Sequence, residues 1–154
     1  METKKNISFR LLNIITEQFA TFEIENLPDT NDLQSDLQFS INPENRVVAC
    51  KMKFQFLHEK QPIVVLTVIC NFDVEVSSWN TNIVSDKKII LPKHFLEHLC
   101  VITVGTSRGI LHAKTENTFF NRFIIPTLNV SNLVEKDVVF EIKSLLSDKN
   151  QMKF

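Results

Sequence analysis

The sequence predicts an α+β fold in a single domain over residues 1–154: a four-stranded antiparallel sheet packed by a long helix, then a crossover loop and a shorter C-terminal helix. Three observations predict it. Apolar and polar residues alternate at a period of two in the segments before Ser77, with short turns between the last three of them. From Pro92 the apolar residues recur instead at steps of three and four. A phenylalanine-rich, proline-marked crossing then leads to a second, shorter helical pattern.

The first strand begins where Ile7, Phe9 and Leu11 alternate with Ser8 and Arg10. Ala20, Phe22 and Ile24 alternate again with Thr21 and Glu23. A bulge or break between Asn13 and Glu17 reconciles the two halves, because one extra residue reverses the inward face. Asn26 to Asp32 is a loop marked by Pro28, Asp29 and Asn31. In the second strand, Leu33, Leu37, Phe39 and Ile41 oppose Gln34, Asp36, Gln38 and Ser40. Asn42-Pro43-Glu44-Asn45 is a turn. The third strand sets Val48, Cys50, Met52, Phe54 and Phe56 against Lys51, Lys53 and Gln55.

His58 to Pro62 is a hairpin loop. The fourth strand carries Leu66, Val68, Cys70, Phe72, Val74 and Val76 on one face. Its other face begins with Ile63, Val65 and Ile69 and ends with Asn71, Asp73 and Glu75. Its first half is apolar on both faces, so both need cover, and another subunit is one source of it. Short sequential connections favour an antiparallel meander. Ser77 to Lys88 is the polar crossing from sheet to helix, with Trp79 inside it.

Pro92 suits a helix start, where its missing N–H costs nothing. Phe95, Leu99, Ile102, Thr106 and Ile110 then form one stripe, with Leu96 beside them. Gly105 interrupts the helix at about 1 kcal/mol relative to Ala, which predicts close packing against another element. Lys114 to Arg122 is polar except for Phe119 and Phe120, and Phe123 to Asn129 is largely apolar. Asn132 with Glu135 three residues later fits a capping box. Val138, Ile142 and Leu145 then predict a terminal helix to about Leu146.

Composition excludes several classes. A net charge of −1 gives no electrostatic footprint for nucleic acid. Two glycines argue against a phosphate-cradling loop. No apolar run is long enough for membrane insertion. The start shows no secretory pattern, and three unpaired cysteines make a reducing cytoplasm the expected setting. Cys50, Cys70 and Cys100 are odd in number, lack CxxC spacing and sit in apolar patterns, so they are expected as buried hydrophobes. Thirteen Phe with no Tyr indicate surfaces or cores without hydroxyls to satisfy.

Ser107-Arg108-Gly109 at the end of the long helix, Ile102-Thr103 shortly before it, and Pro126-Thr127-Leu128-Asn129 in the crossover resemble motifs of the SecB export-chaperone family. The architecture resembles that family over the whole chain, and the motifs over roughly residues 91–133. The resemblance implies a non-enzymatic, ATP-independent holdase for non-native polypeptides, without cofactors. It also implies a homotetramer assembled as a dimer of dimers. The crossover residues Phe119, Phe120, Phe123, Ile124, Ile125 and Leu128 are then candidates for a client-binding groove, with core packing as the alternative for the three phenylalanines. Asp73 and Glu75 are loose candidates for the acidic surface that the family offers to the SecA translocase motor. Two departures weigh against SecA: a long stretch between Gly109 and Pro126, and a near-neutral charge. A dedicated chaperone of one client, such as the antitoxin of a toxin–antitoxin pair, or a non-catalytic assembly factor, is the alternative.

Other residues admit sharper chemistry. Arg108 either contacts a client or partner, or bonds carbonyls near the helix end or a carboxylate. His94, Glu97 and His98 form the inverted zincin order HxxEH, but no third ligand accompanies them, and a solvated first helical turn accounts for them. Cys100 beside His98 lies in an apolar run, where burial raises a thiol's pKa. No catalytic or metal-binding residue is assigned.

Overall fold

The structure is a computed structural model that describes residues 6–26 and 31–142. Strands β1 (Phe9–Thr21), β2 (Asp32–Asn42), β3 (Val47–His58) and β4 (Gln61–Val74) form one antiparallel sheet in the order β1-β4-β3-β2. The predicted meander therefore holds for β2, β3 and β4, while β1 lies along the far side of β4. The reversal expected between Asn13 and Glu17 is made by two bulges, after Leu11 and after Thr16. Each restores pairing with β4, so β1 stays bonded over its length.

β4 is buried on both faces from Ile63 to Val68. The chain itself provides the outer cover. Val65 lies between Ala20 and Gln55, and Thr67 between Gln18 and Lys53, so Gln55 flanks Val65 and two long side chains flank Thr67. The Thr67 hydroxyl donates to Gln18 Oε1 at 3.5 Å.

On the inner face lies the long helix α2 (Lys93–Thr115), which follows the single turn α1 (Val76–Ser78). Phe9 joins helix to sheet, with its ring 5.5 Å from Phe95 and 5.7 Å from Phe72. Met52, Phe54, Leu66, Phe72 and Leu99 are fully buried, each contributing about 1.5–3 kcal/mol. The predicted stripe holds at Phe95, Leu96 and Leu99 and then drifts. Ile102, Thr106 and Ile110 are half-buried, while Thr103, Val104, Ser107, Leu111 and Thr115 face the sheet. Buried hydroxyls are tolerable there because each bonds the carbonyl four residues back: Thr103 to Leu99 at 2.8 Å, Ser107 to Thr103 at 2.7 Å and Thr115 to Leu111 at 2.6 Å.

Several expectations are corrected. The first is Gly105, predicted to pack closely. Nothing lies within 4 Å of where a β-carbon would stand on Gly105 or Gly109, because both face away from the sheet. The second is the C-terminal helix. Val138–Glu141 is a strand, β7, paired with β6 (Lys88–Leu91), which also pairs with β5 (Val84–Ser85). Val138 and Phe140 are half-buried and Val139 and Glu141 exposed, a period of two that β-branched and aromatic residues favour. The cap also moves: Asn129, not Asn132, accepts from Ser131 N at 3.1 Å and starts the one-turn helix α3 (Val130–Leu133). Leu145 and Leu146 lie outside the described residues. The Ser77–Lys88 crossing is more ordered than its polarity predicts: Trp79 is buried at the head of a π-helical turn to Ile83 that leads into β5.

Candidate functional site

The polar stretch after α2 is a set of caps that aims the phenylalanines. The Thr118 hydroxyl donates to the Thr115 carbonyl at 2.7 Å and accepts from Phe120 N at 3.2 Å. Asn121 Nδ2 donates to the His112 carbonyl at 3.1 Å and to Thr115 Oγ1 at 3.2 Å. Asn117, at φ 61°, takes the left-handed conformation that Asn tolerates. These bonds fold Phe119–Arg122 into one 3-10 turn.

A chain of aromatic rings then runs from core to surface. Phe56 on β3 lies 5.3 Å from Phe123, Phe123 6.5 Å from Phe120, and Phe120 5.7 Å from Phe119. Phe56 and Phe123 are buried, Phe120 is half-buried, and Phe119 is 51% exposed. The Arg122 guanidinium sits over the Phe119 ring at 5.0 Å and the Phe123 ring at 5.8 Å. It covers apolar surface while keeping its charge in water. A cavity of about 460 Å³ opens here, lined by Glu23, Ile24, Phe119, Phe120 and Arg122. An apolar floor with one acid and one base on its walls can take an apolar side chain from an extended peptide.

Beyond the turn the crossover is extended and belongs to no strand. Phe123 and Ile125 point inward and are buried, whereas Ile124 points out and is 66% exposed. Leu128 is half-buried against the core. Of the six groove candidates, Phe119 and Ile124 are thus open, Phe120 and Leu128 partly so, and Phe123 and Ile125 anchor the segment. Glu23, Ile24 and Arg122 complete the cavity and were not singled out from sequence. Glu23 and Ile24 lie almost a hundred residues upstream, and no local pattern links them to the crossover.

Arg108 bonds carbonyls, but those of the crossover and not of its own helix. Its Nε donates to the Ile125 carbonyl at 2.7 Å and its Nη2 to the Pro126 carbonyl at 2.8 Å.

Elsewhere, Asp73 and Glu75 are engaged within the chain. Asp73 pairs with Arg10 at 3.0 Å. Glu75 accepts from the Ser77 hydroxyl at 2.6 Å and the Ser78 hydroxyl at 3.2 Å. The Ser77 hydroxyl above all holds its carboxyl below the usual carboxylate range. Glu97 lies 3.7 Å from Lys93, and His98 sets its ring edge-on to Phe9 at 5.6 Å. Among the described residues, no group of three His, Cys, Asp or Glu is placed to hold a metal ion. Burial pushes the Cys50 thiol up to about 12 and the Cys100 thiol up to about 11, and raises Cys70 too. No helix of the described residues is long and apolar enough to cross a membrane.

No family model matches the chain, and no curated protein matches it. Among solved structures, it is similar to the Mycobacterium tuberculosis SecB-like chaperone Rv1957 in complex with a ChAD peptide from the Rv1956 HigA1 antitoxin, at 12% identity and a TM-score of 0.48, over 79% of this chain and 91% of that one.

Proposed function

We propose that this chain is a SecB-like holdase that binds non-native polypeptide in the cytoplasm without ATP, cofactor or catalysis. The observation that carries the reading is the aromatic chain that leaves the core and ends open at Phe119 in the lining of the cavity, with Ile124 also exposed on the crossover. Apolar surface held open on a capped turn is suited to bind many sequences, because burial is non-directional. Each Å² of client surface buried contributes about 25 cal/mol before ordering costs. Slowly folding chains expose such segments longest and would be the preferred clients.

A narrower version has an observation of its own. Because Phe123 and Ile125 are buried, the open surface is a compact pocket and not a long groove. That favours a short segment of one dedicated client, such as an antitoxin, over many pre-export chains. The engagement of Asp73 by Arg10 and of Glu75 by Ser77 favours a role apart from the SecA motor.

Two uncovered surfaces support assembly into a homotetramer. Among the described residues β1 leaves one long edge unpaired, with Leu11, Leu12, Ile14 and Ile15 exposed. The outer side of α2 presents Val101, 52% exposed, in line with the bare Gly105 and Gly109.

The test is a titration of a labelled, reduced, permanently unfolded polypeptide, with the same label on a folded control. Saturable binding of the unfolded chain alone, without nucleotide, sustains the general holdase. Absence of binding to a panel of such chains removes it and leaves the dedicated client. Light scattering at micromolar concentration decides the tetramer.

A further inference from the structure

We infer that Arg108 is a positioning residue: a clasp by which the long helix holds the crossover in the one setting that turns Ile124 and Phe119 outward. Residues 123–129 belong to no strand, so no ladder fixes their position along the helix. Arg108 takes two consecutive carbonyls of this segment, Ile125 at 2.7 Å and Pro126 at 2.8 Å. The planar guanidinium directs both donors from one rigid group, so the grip sets orientation as well as distance. Hydrogen bonds from a charged donor are the stronger kind.

The consequence for the surface follows from alternation. In extended backbone, neighbouring side chains point to opposite sides. With the Ile125 carbonyl pinned, Ile125 and Phe123 stay buried and Ile124 must face solvent. Phe123 in turn stacks on Phe120, which touches Phe119. One arginine on the helix thereby governs the outer end of the aromatic chain without touching it. Ser107 before it is buried against the sheet and Gly109 after it faces away, which leaves Arg108 on the flank of the helix that meets the crossover.

The role in binding rests on the holdase reading above, so the test separates the two. Hydrogen exchange is measured at the Phe123 amide, which donates to the Phe120 carbonyl at 3.1 Å, in the wild type, Arg108→Lys and Arg108→Ala, beside affinity for the unfolded polypeptide. A lysine keeps the charge and loses the fork. Arg108→Ala should speed crossover exchange about tenfold or more, leave the amides of β3 and β4 unchanged, and weaken client binding by a similar factor. Arg108→Lys should fall between, with an unaltered melting temperature. Unchanged crossover exchange in both variants overturns the clasp, as does faster exchange with full client affinity. Faster exchange in a protein whose wild type binds no client sustains the clasp and overturns the holdase reading.

Discussion

The backbone N–H of Lys93, first in the long helix, donates to Asp137 Oδ1 at 2.7 Å. Pro92 occupies the N-cap and has no polar side-chain atom to offer, so a carboxylate 44 residues later supplies the cap. A negative charge at this helix end also opposes the macrodipole favourably. Asp137→Ala should cost about 1 kcal/mol and lower the melting temperature by about 2–4 °C. Asp137→Asn should keep most of that stability. Denaturant midpoints of the two variants check the contrast.

Phe119 and Phe123 are close in sequence and opposite in role. Phe123→Ala should destabilise by about 3–5 kcal/mol, since its ring fills core space beside Phe56. Phe119→Ser should change stability by less than about 0.5 kcal/mol while weakening binding of the unfolded polypeptide. Urea curves run beside the titration read both. Equal loss of stability in the two variants would mean that Phe119 is core.

The hairpin between β3 and β4 turns through Glu59 and Lys60, at φ 48° and 67°. Both are left-handed, as a two-residue I′ turn demands, and neither residue type favours it. Replacing the pair by Asn-Gly should raise stability by roughly 1 kcal/mol, with an upward shift in thermal midpoint and no change in client affinity.

Cys50 keeps its proton in the folded state to about pH 12, against an ordinary value of 9.0. Between those values the folded protein holds a proton that the unfolded chain has lost. Its contribution to stability is therefore complete below the lower value and declines as pH rises through the window. Wild type should lose stability faster than Cys50→Ala between about pH 9 and about pH 12. Parallel curves for the two proteins would show that the thiol is not protected.

Sequence periodicity exposed the four-stranded sheet because β2 and β3 alternate over nearly their whole length and β4 over its second half. It missed the small sheet for a physical reason. β5, β6 and β7 have two to four residues each, too few for a period, and Val138 with Ile142 satisfies helical spacing by chance. The site divides in the same way. Composition drew attention to Phe119 and Phe120. Their exposure depends on hydroxyl caps at Thr115 and Thr118, and their cavity on Glu23 and Ile24, which follow the end of β1. Phe123-Ile124-Ile125 is apolar without a break, so sequence alone did not tell which side chains are buried; the contacts that mark the inner face, Phe56 on Phe123 and Arg108 on the Ile125 carbonyl, come from residues distant in sequence.

The placement of β1 has a consequence for how the chain is made. Translation delivers β1 before the other three strands, yet β4, its neighbour in the sheet among the described residues, is the last of the four to emerge. The hairpins β2-β3 and β3-β4 close locally and quickly, whereas Phe9 must wait for Val74. During that interval a nascent chain carries Leu11, Leu12, Ile14 and Ile15 with no backbone partner. A protein read here as a guardian of unfinished chains thus passes, in its own synthesis, through a state that such a guardian would recognise.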